Sequence, residues 1–174
     1  MNNLLSLLGK DSVKVAHLEG VYVAYSSSPS FGADVISAMR QLDPEVAWRA
    51  VWLMKRHARN RKLTEGELVR LAQCAEEMPH WAARLNLCQL FGTTGCPEPA
   101  HEALYPYLVD CFANRRPMIR AWAISVLVEF QAEEKYRKPV AAMLRAARAE
   151  TAGSMRARLR HLAGAKPDRA ARSE

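Results

Sequence analysis

The chain has 174 residues, 49% of them hydrophobic and 25% charged, with a formal net charge of +7. That length suffices for one buried core, and the composition is that of an ordinary soluble globular protein. No apolar run approaches the ~20 residues a bilayer span needs, and Met1–Leu8 lacks the basic start of a signal peptide, so a cytoplasmic protein is expected.

The elements are taken in chain order. Residues 2–8 read as a short apolar helix ended by Gly9, with Asp11 or Ser12 available to cap the next element. Residues 13–25 fit two patterns. Val21, Val23 and Tyr25 alternate as a strand would. Val13, Ala16, Val21 and Ala24 fall near one face of a helix, which suits the helical surroundings. Ser26–Ser30 is a turn. Phe31–Leu42 is a helix with Val35, Ala38, Met39 and Leu42 inward. Asp43 caps the next helix and Pro44 opens it, with Val46, Ala50, Leu53 and Met54 as its apolar face. Thr64 and Glu67 form a capping box ahead of Leu68, Leu71 and Ala72. Pro79 is expected to open a helix ending near Phe91, before a Gly/Pro-rich break at residues 92–97.

The next helix spans 98–113, with Leu104, Tyr107, Leu108 and Cys111 inward. Pro106 should kink it or mark a late start. Pro117–Gln131 comes after it, with Ile119, Ala123, Val126, Leu127 and Phe130 within about 80° of one another on a helical wheel. Leu127 and Leu85 are expected in the core. Residues 133–150 carry Tyr136, Val140, Met143, Leu144 and Ala147 on one face, and Pro139 could be the true start. Residues 154–163 form a last helix with Met155, Leu159 and Leu162 inward. The chain is therefore expected to form one all-α domain over 1–164, with 165–174 as a basic, disordered tail.

Prolines 44, 79 and 117 stand 35 and 38 residues apart, each heading a similar amphipathic stretch. Helical pairs recurring at that period suit a solenoid, in which each pair buries its apolar face against its neighbours. Asp43-Pro44-x-Val46 followed by Ala50, and Pro117-x-Ile119-Arg120 followed by Ala123, resemble the start of a HEAT second helix. The resemblance covers about residues 31–163. It implies an α-solenoid, an α-α superhelix of three to four HEAT-like pairs, with an atypical N-terminal cap. The chain departs from the pattern at Ala47, which stands where Arg120 does, with Arg49 two residues later. Met78 replaces the Asp of the second repeat. HEAT proteins are mostly scaffolds that bind other proteins on a concave surface. A minority resemble bacterial alkylpurine DNA glycosylases, which hold DNA in a basic groove.

No catalytic motif is visible, so a non-enzymatic scaffold is expected, with no cofactor and no small-molecule substrate. His17, His57, His80, His101 and His161 are scattered one per element, without metal-ligand spacing. Cys74, Cys88, Cys96 and Cys111 form no C-x-x-C pair and suit reduced intracellular thiols. Trp48, Trp52, Lys55 and Arg59 lie at i, i+4, i+7, i+11 on the side of their helix opposite its core. Two tryptophans with two cations on one face can hold a protein partner. The alternative partner is nucleic acid. Residues 1–114 carry 11 Lys/Arg against 12 Asp/Glu, and residues 115–174 carry 14 against 6. In that basic third Lys138, Arg145 and Arg148 point away from the core side of their helix and Arg156 and Arg160 flank the core stripe of the next, a basic surface that could meet a polyanion.

Overall fold

The computed structural model describes residues 2–9, 14–41 and 43–164. Val13, Leu42, the Asp11/Ser12 cap and the tail at 165–174 lie outside the described residues. Every regular element among the described residues is helical. The helices are α1 (Asn2–Leu8), α2 (Val15–Tyr25), α3 (Phe31–Met39), α4 (Pro44–Asn60), α5 (Glu65–Gln73), α6 (Trp81–Thr94), α7 (His101–Phe112), α8 (Pro117–Leu127), α9 (Glu134–Ala149) and α10 (Gly153–Gly164). Short 3-10 turns at Ala75–Glu77, Glu98–Ala100 and Val128–Ala132 link them.

α4 packs against α6, α6 against α8, and α8 against α10. α3 lies on α4 and α7 on α8, while α5 touches both α3 and α7. The two N-terminal helices close on α4. The core runs continuously through these contacts and includes Val46, Ala50, Leu53, Met54, Leu104, Leu108, Ile119, Leu127 and Phe130. These are the apolar positions that the helical period selects.

Helix ends obey local chemistry. The Asp43 carboxylate accepts from the Glu45 amide at 2.9 Å, and Pro44 sits in the first turn, where its missing N–H is not needed. Thr64 and Glu67 form the reciprocal box, with the Thr64 amide donating to Glu67 at 2.8 Å. Burial pushes the Glu67 carboxyl up, but its bonds from Thr64 and Arg61 outweigh this and hold it below the ordinary carboxylate value. That carboxylate fills the space beside Gly32, where an added Cβ would come within 2.5 Å of Glu67 Oε1. Gly95 ends α6 at φ 81°, a conformation in which a side chain is strained.

Four sequence expectations need correction. Residues 15–25 are helical, but the buried set is Leu18, Val21 and Tyr22, whereas Ala16 and Ala24 are exposed. Leu18 and Tyr22 bury more area than the two alanines, and Tyr22 gains polar partners, accepting from Asn60 Nδ2 at 3.0 Å. Pro79 does not open α6. His80 intervenes, its ring accepting from the Ala82 amide as an N-cap, and the helix runs past Phe91 to Thr94. α9 begins at Glu134 and passes through Pro139, as α7 begins at His101 and passes through Pro106. Both prolines are exposed, and each lost bond concerns the carbonyl of an exposed residue, Lys135 or Glu102, which water can reach. Leu85 is only half-buried, and Leu87 takes the core position instead.

Candidate functional site

An arginine near the start of α4, α6 and α8 ties each helix to another part of the chain. Arg49 is 6% exposed, donates to the Leu8 carbonyl at 2.6 Å and reaches Glu45 at 3.0 Å, so a cation closes the C-terminal end of α1. Arg84 pairs with Asp110 on α7. Arg120 holds Glu150 through two bonds of 2.9 and 2.6 Å and donates to the Asn114 carbonyl at 2.9 Å. This fork geometry fixes α8 to the end of α9.

The Trp48, Trp52, Lys55, Arg59 stripe does not form an open face. α6 lies along that flank of α4. Trp48 Nε1 donates to Glu45 at 2.7 Å, and its ring stacks on His80 with centroids 6.1 Å apart. Trp52 is half-buried against the core. Lys55 donates to Gln89 Oε1 of α6 at 2.7 Å. Arg59 alone of the four is exposed, lining a shallow cleft with Lys62, Thr93 and Thr94.

Burial, with a smaller contribution from Arg59, lowers the Lys55 ammonium to about 8. An unfolded lysine titrates near ~10.4. Between these values the unfolded chain binds more protons, so this residue adds stability as pH rises through the window. Lys55→Met keeps the apolar stem and is expected to lose that alkaline rise. Urea midpoints of both proteins at pH 7 and pH 10 check this, and an equal rise in the variant would refute it.

The surface that is open lies one helix further on. Trp81, at the start of α6, is 46% exposed, and Met118, at the start of α8, is 51% exposed. Together with Leu85, Arg115, Arg116 and Ile119 they line a cleft of about 550 Å³. The Arg116 guanidinium sits over the Trp81 ring, 4.5 Å from its centroid. Met118 also borders a second cleft of about 290 Å³ with Ala121, Trp122, Ser154, Arg158 and His161. Trp122 packs on Gly92 of α6, where an added Cβ would come within 3.0 Å of the indole. The Arg158 guanidinium lies 3.2 Å from the Trp122 centroid, and burial lowers its pKa.

Trp81, Met118 and Trp122 were not singled out from the sequence as a site. The available signal was their common placement, within five residues after Pro79 or Pro117. Among the described residues, Lys138, Arg145, Arg148, Arg156 and Arg160 are exposed and have no ion pair. The carboxylates at 115–164 are all engaged: Glu129 by the Cys96 amide, Glu133 by His101 and Lys135, Glu134 by Arg137, and Glu150 by Arg120. No group of three or more His, Cys, Asp or Glu side chains among the described residues is placed to hold a metal ion. No described helix is long and apolar enough to cross a membrane. Comparison with family models, with curated proteins and with solved structures finds no match for this chain.

Proposed function

We propose that the chain is a HEAT-like α-solenoid of three to four helical pairs, acting in the cytoplasm as a non-enzymatic scaffold that binds a protein partner through its second-helix face. Side-by-side packing of α4, α6, α8 and α10 supports the solenoid reading. The Arg84–Asp110 and Arg120–Glu150 pairs tie α6 to α7 and α8 to the end of α9, which suits a stack of helical pairs, although neither acid stands at the Asp position of the HEAT pattern. The observation that carries the binding reading is the exposure of Trp81 and Met118 together in one cleft between α6 and α8. An exposed pair of large apolar side chains rimmed by arginine is the composition of an interface hot spot.

A photo-crosslinking residue at position 118, in the native cell, tests this. A discrete protein adduct is expected there and not from the same residue at exposed Ala142 on α9. Trp81→Ala should weaken capture about 30-fold, the scale of a hot-spot tryptophan, with an unchanged helical signal. Equal adducts at both positions, or none at 118, would sink the reading.

A second reading rests on the basic surface. Lys138, Arg145, Arg148, Arg156 and Arg160, exposed on α9 and α10, have no carboxylate partner among the described residues, which favours nucleic acid as their ligand.

A further inference from the structure

We infer that the segment seated in the α6–α8 cleft is an acidic peptide, anchored by one bulky apolar side chain and flanked by carboxylates that meet Arg115, Arg116 and Arg158. The inference rests on the scaffold reading and names the chemistry of its partner.

The anchor is dictated by shape. A cleft of about 550 Å³ with Trp81, Leu85, Met118 and Ile119 on its walls has room for one or two large side chains. Met118 is an adaptable wall, because an unbranched thioether side chain repacks around different guests. The acidic flanks are dictated by charge. Arg115 and Arg116 are exposed, and neither has an ion pair among the described residues. The carboxylates of residues 115–164 are committed elsewhere, and Asp110, across α7, is held by Arg84.

Arg158 extends the same argument into the adjoining cleft. Its guanidinium is pinned on Trp122, and its Nε is buried with no hydrogen-bond partner. A buried, unmatched donor is unfavourable until an acceptor arrives. A carboxylate entering beside Ser154 and His161 supplies one. The Met118 amide acts in the same direction, since Pro117 has no N–H, the Ile119 amide already donates to the Arg116 carbonyl at 3.1 Å and Arg116 offers no side-chain cap.

The aromatic geometry favours this partner over nucleic acid. Stacking of bases needs open ring faces. Here Arg116 covers a face of Trp81, Arg158 covers a face of Trp122, and His80 stacks on Trp48. The exposed remainder of Trp81 and the Met118 thioether suit an apolar side chain.

The test is selection of random 12-residue peptides displayed on phage against the immobilised full chain. Fluorescein-labelled consensus peptides are then titrated by anisotropy. Selected peptides are expected to carry one large apolar residue with at least two Asp or Glu within about four positions. Arg115→Glu with Arg116→Glu should weaken them at least about tenfold, because like charges would then face each other. Peptides with those acids changed to Lys should bind the double variant better than the wild type, a rescue that misfolding could not produce. Absence of any selected peptide, absence of acidic enrichment, or indifference to the charge reversal overturns the inference. Neutral apolar peptides that need Trp81 but not the arginines would overturn the acidic partner and leave the scaffold reading standing. A missing adduct at position 118 removes the scaffold reading itself. A labelled 12-nucleotide single strand run in parallel is expected not to bind at this cleft, and binding lost in Trp81→Ala would assign the site to nucleic acid instead.

Discussion

Phe130→Ala is expected to cost about 3–5 kcal/mol, the range for removing a buried aromatic side chain. Phe130 is 0% exposed and sits in the 3-10 turn between α8 and α9. Its ring stacks on His101 with centroids 3.9 Å apart and meets Tyr136 edge-on at 5.4 Å, with Tyr105 at 6.0 Å. Such ring pairs add about 0.5–1.5 kcal/mol beyond area burial. His101 is in turn held at both nitrogens, by Glu133 and by the Cys96 carbonyl at 3.1 Å. Removing Phe130 therefore leaves a cavity beside a buried polar cluster joining α7, the 3-10 turn and α9. At roughly 2–4 °C per kcal/mol for a chain of this size, Tm should fall by about 6–20 °C. Phe130→Leu retains much of the volume but forfeits the ring pairs, and should lose less than the alanine variant. Urea unfolding of both variants checks the pair. A loss below about 1 kcal/mol for the alanine variant would mean that this cluster lies outside the cooperative core.

What could be foreseen from the residues was what depends on near neighbours. The Asp43-Pro44 start, the Thr64–Glu67 box and the apolar faces of α4, α7 and α8 are set within a few turns of chain, and the structure has them as expected. Neither Pro106 nor Pro139 starts its helix, because a proline at the sixth residue of α7 or α9 removes one hydrogen bond on the solvent side, which a helix held by tertiary packing tolerates. The face of α2 was misplaced because its pattern is nearly uniform, and Leu18 and Tyr22 were selected by what α3 and α4 offered them, including Phe31 at 5.8 Å from Tyr22. The outcome at α4 has the same origin. Helical angle alone put Trp48 and Lys55 opposite the core, but a helix packed on two sides has two buried flanks, and α6 took the second. The cleft was legible only as far as the shared placement of Trp81 and Met118 just after a proline. Trp81 and Met118 are 37 positions apart, and only the packing of α6 on α8 makes them neighbours.

The second reading makes its own large prediction. Lys138, Arg145 and Arg148 fall within about 80° on α9, and Arg156 and Arg160 are one turn apart on α10, which packs against it. Five phosphates neutralised there would release counterions, so log affinity for duplex DNA should fall with log salt at a slope near −4.5. Between about 50 and 200 mM salt that is a loss of roughly 500-fold. Arg145→Glu with Arg148→Glu should bring the slope to about −2.7, and equally on any sequence, since these cations would touch phosphates and read no bases. Trp81→Ala should leave the salt slope unchanged, because the α6–α8 cleft takes no part in that surface. Anisotropy of labelled duplex and single-stranded oligonucleotides across salt checks both numbers. No binding at about 50 mM salt would remove nucleic acid as a ligand, since electrostatic attraction is least screened there. It would leave the exposed cations of α9 and α10 as a solvated surface.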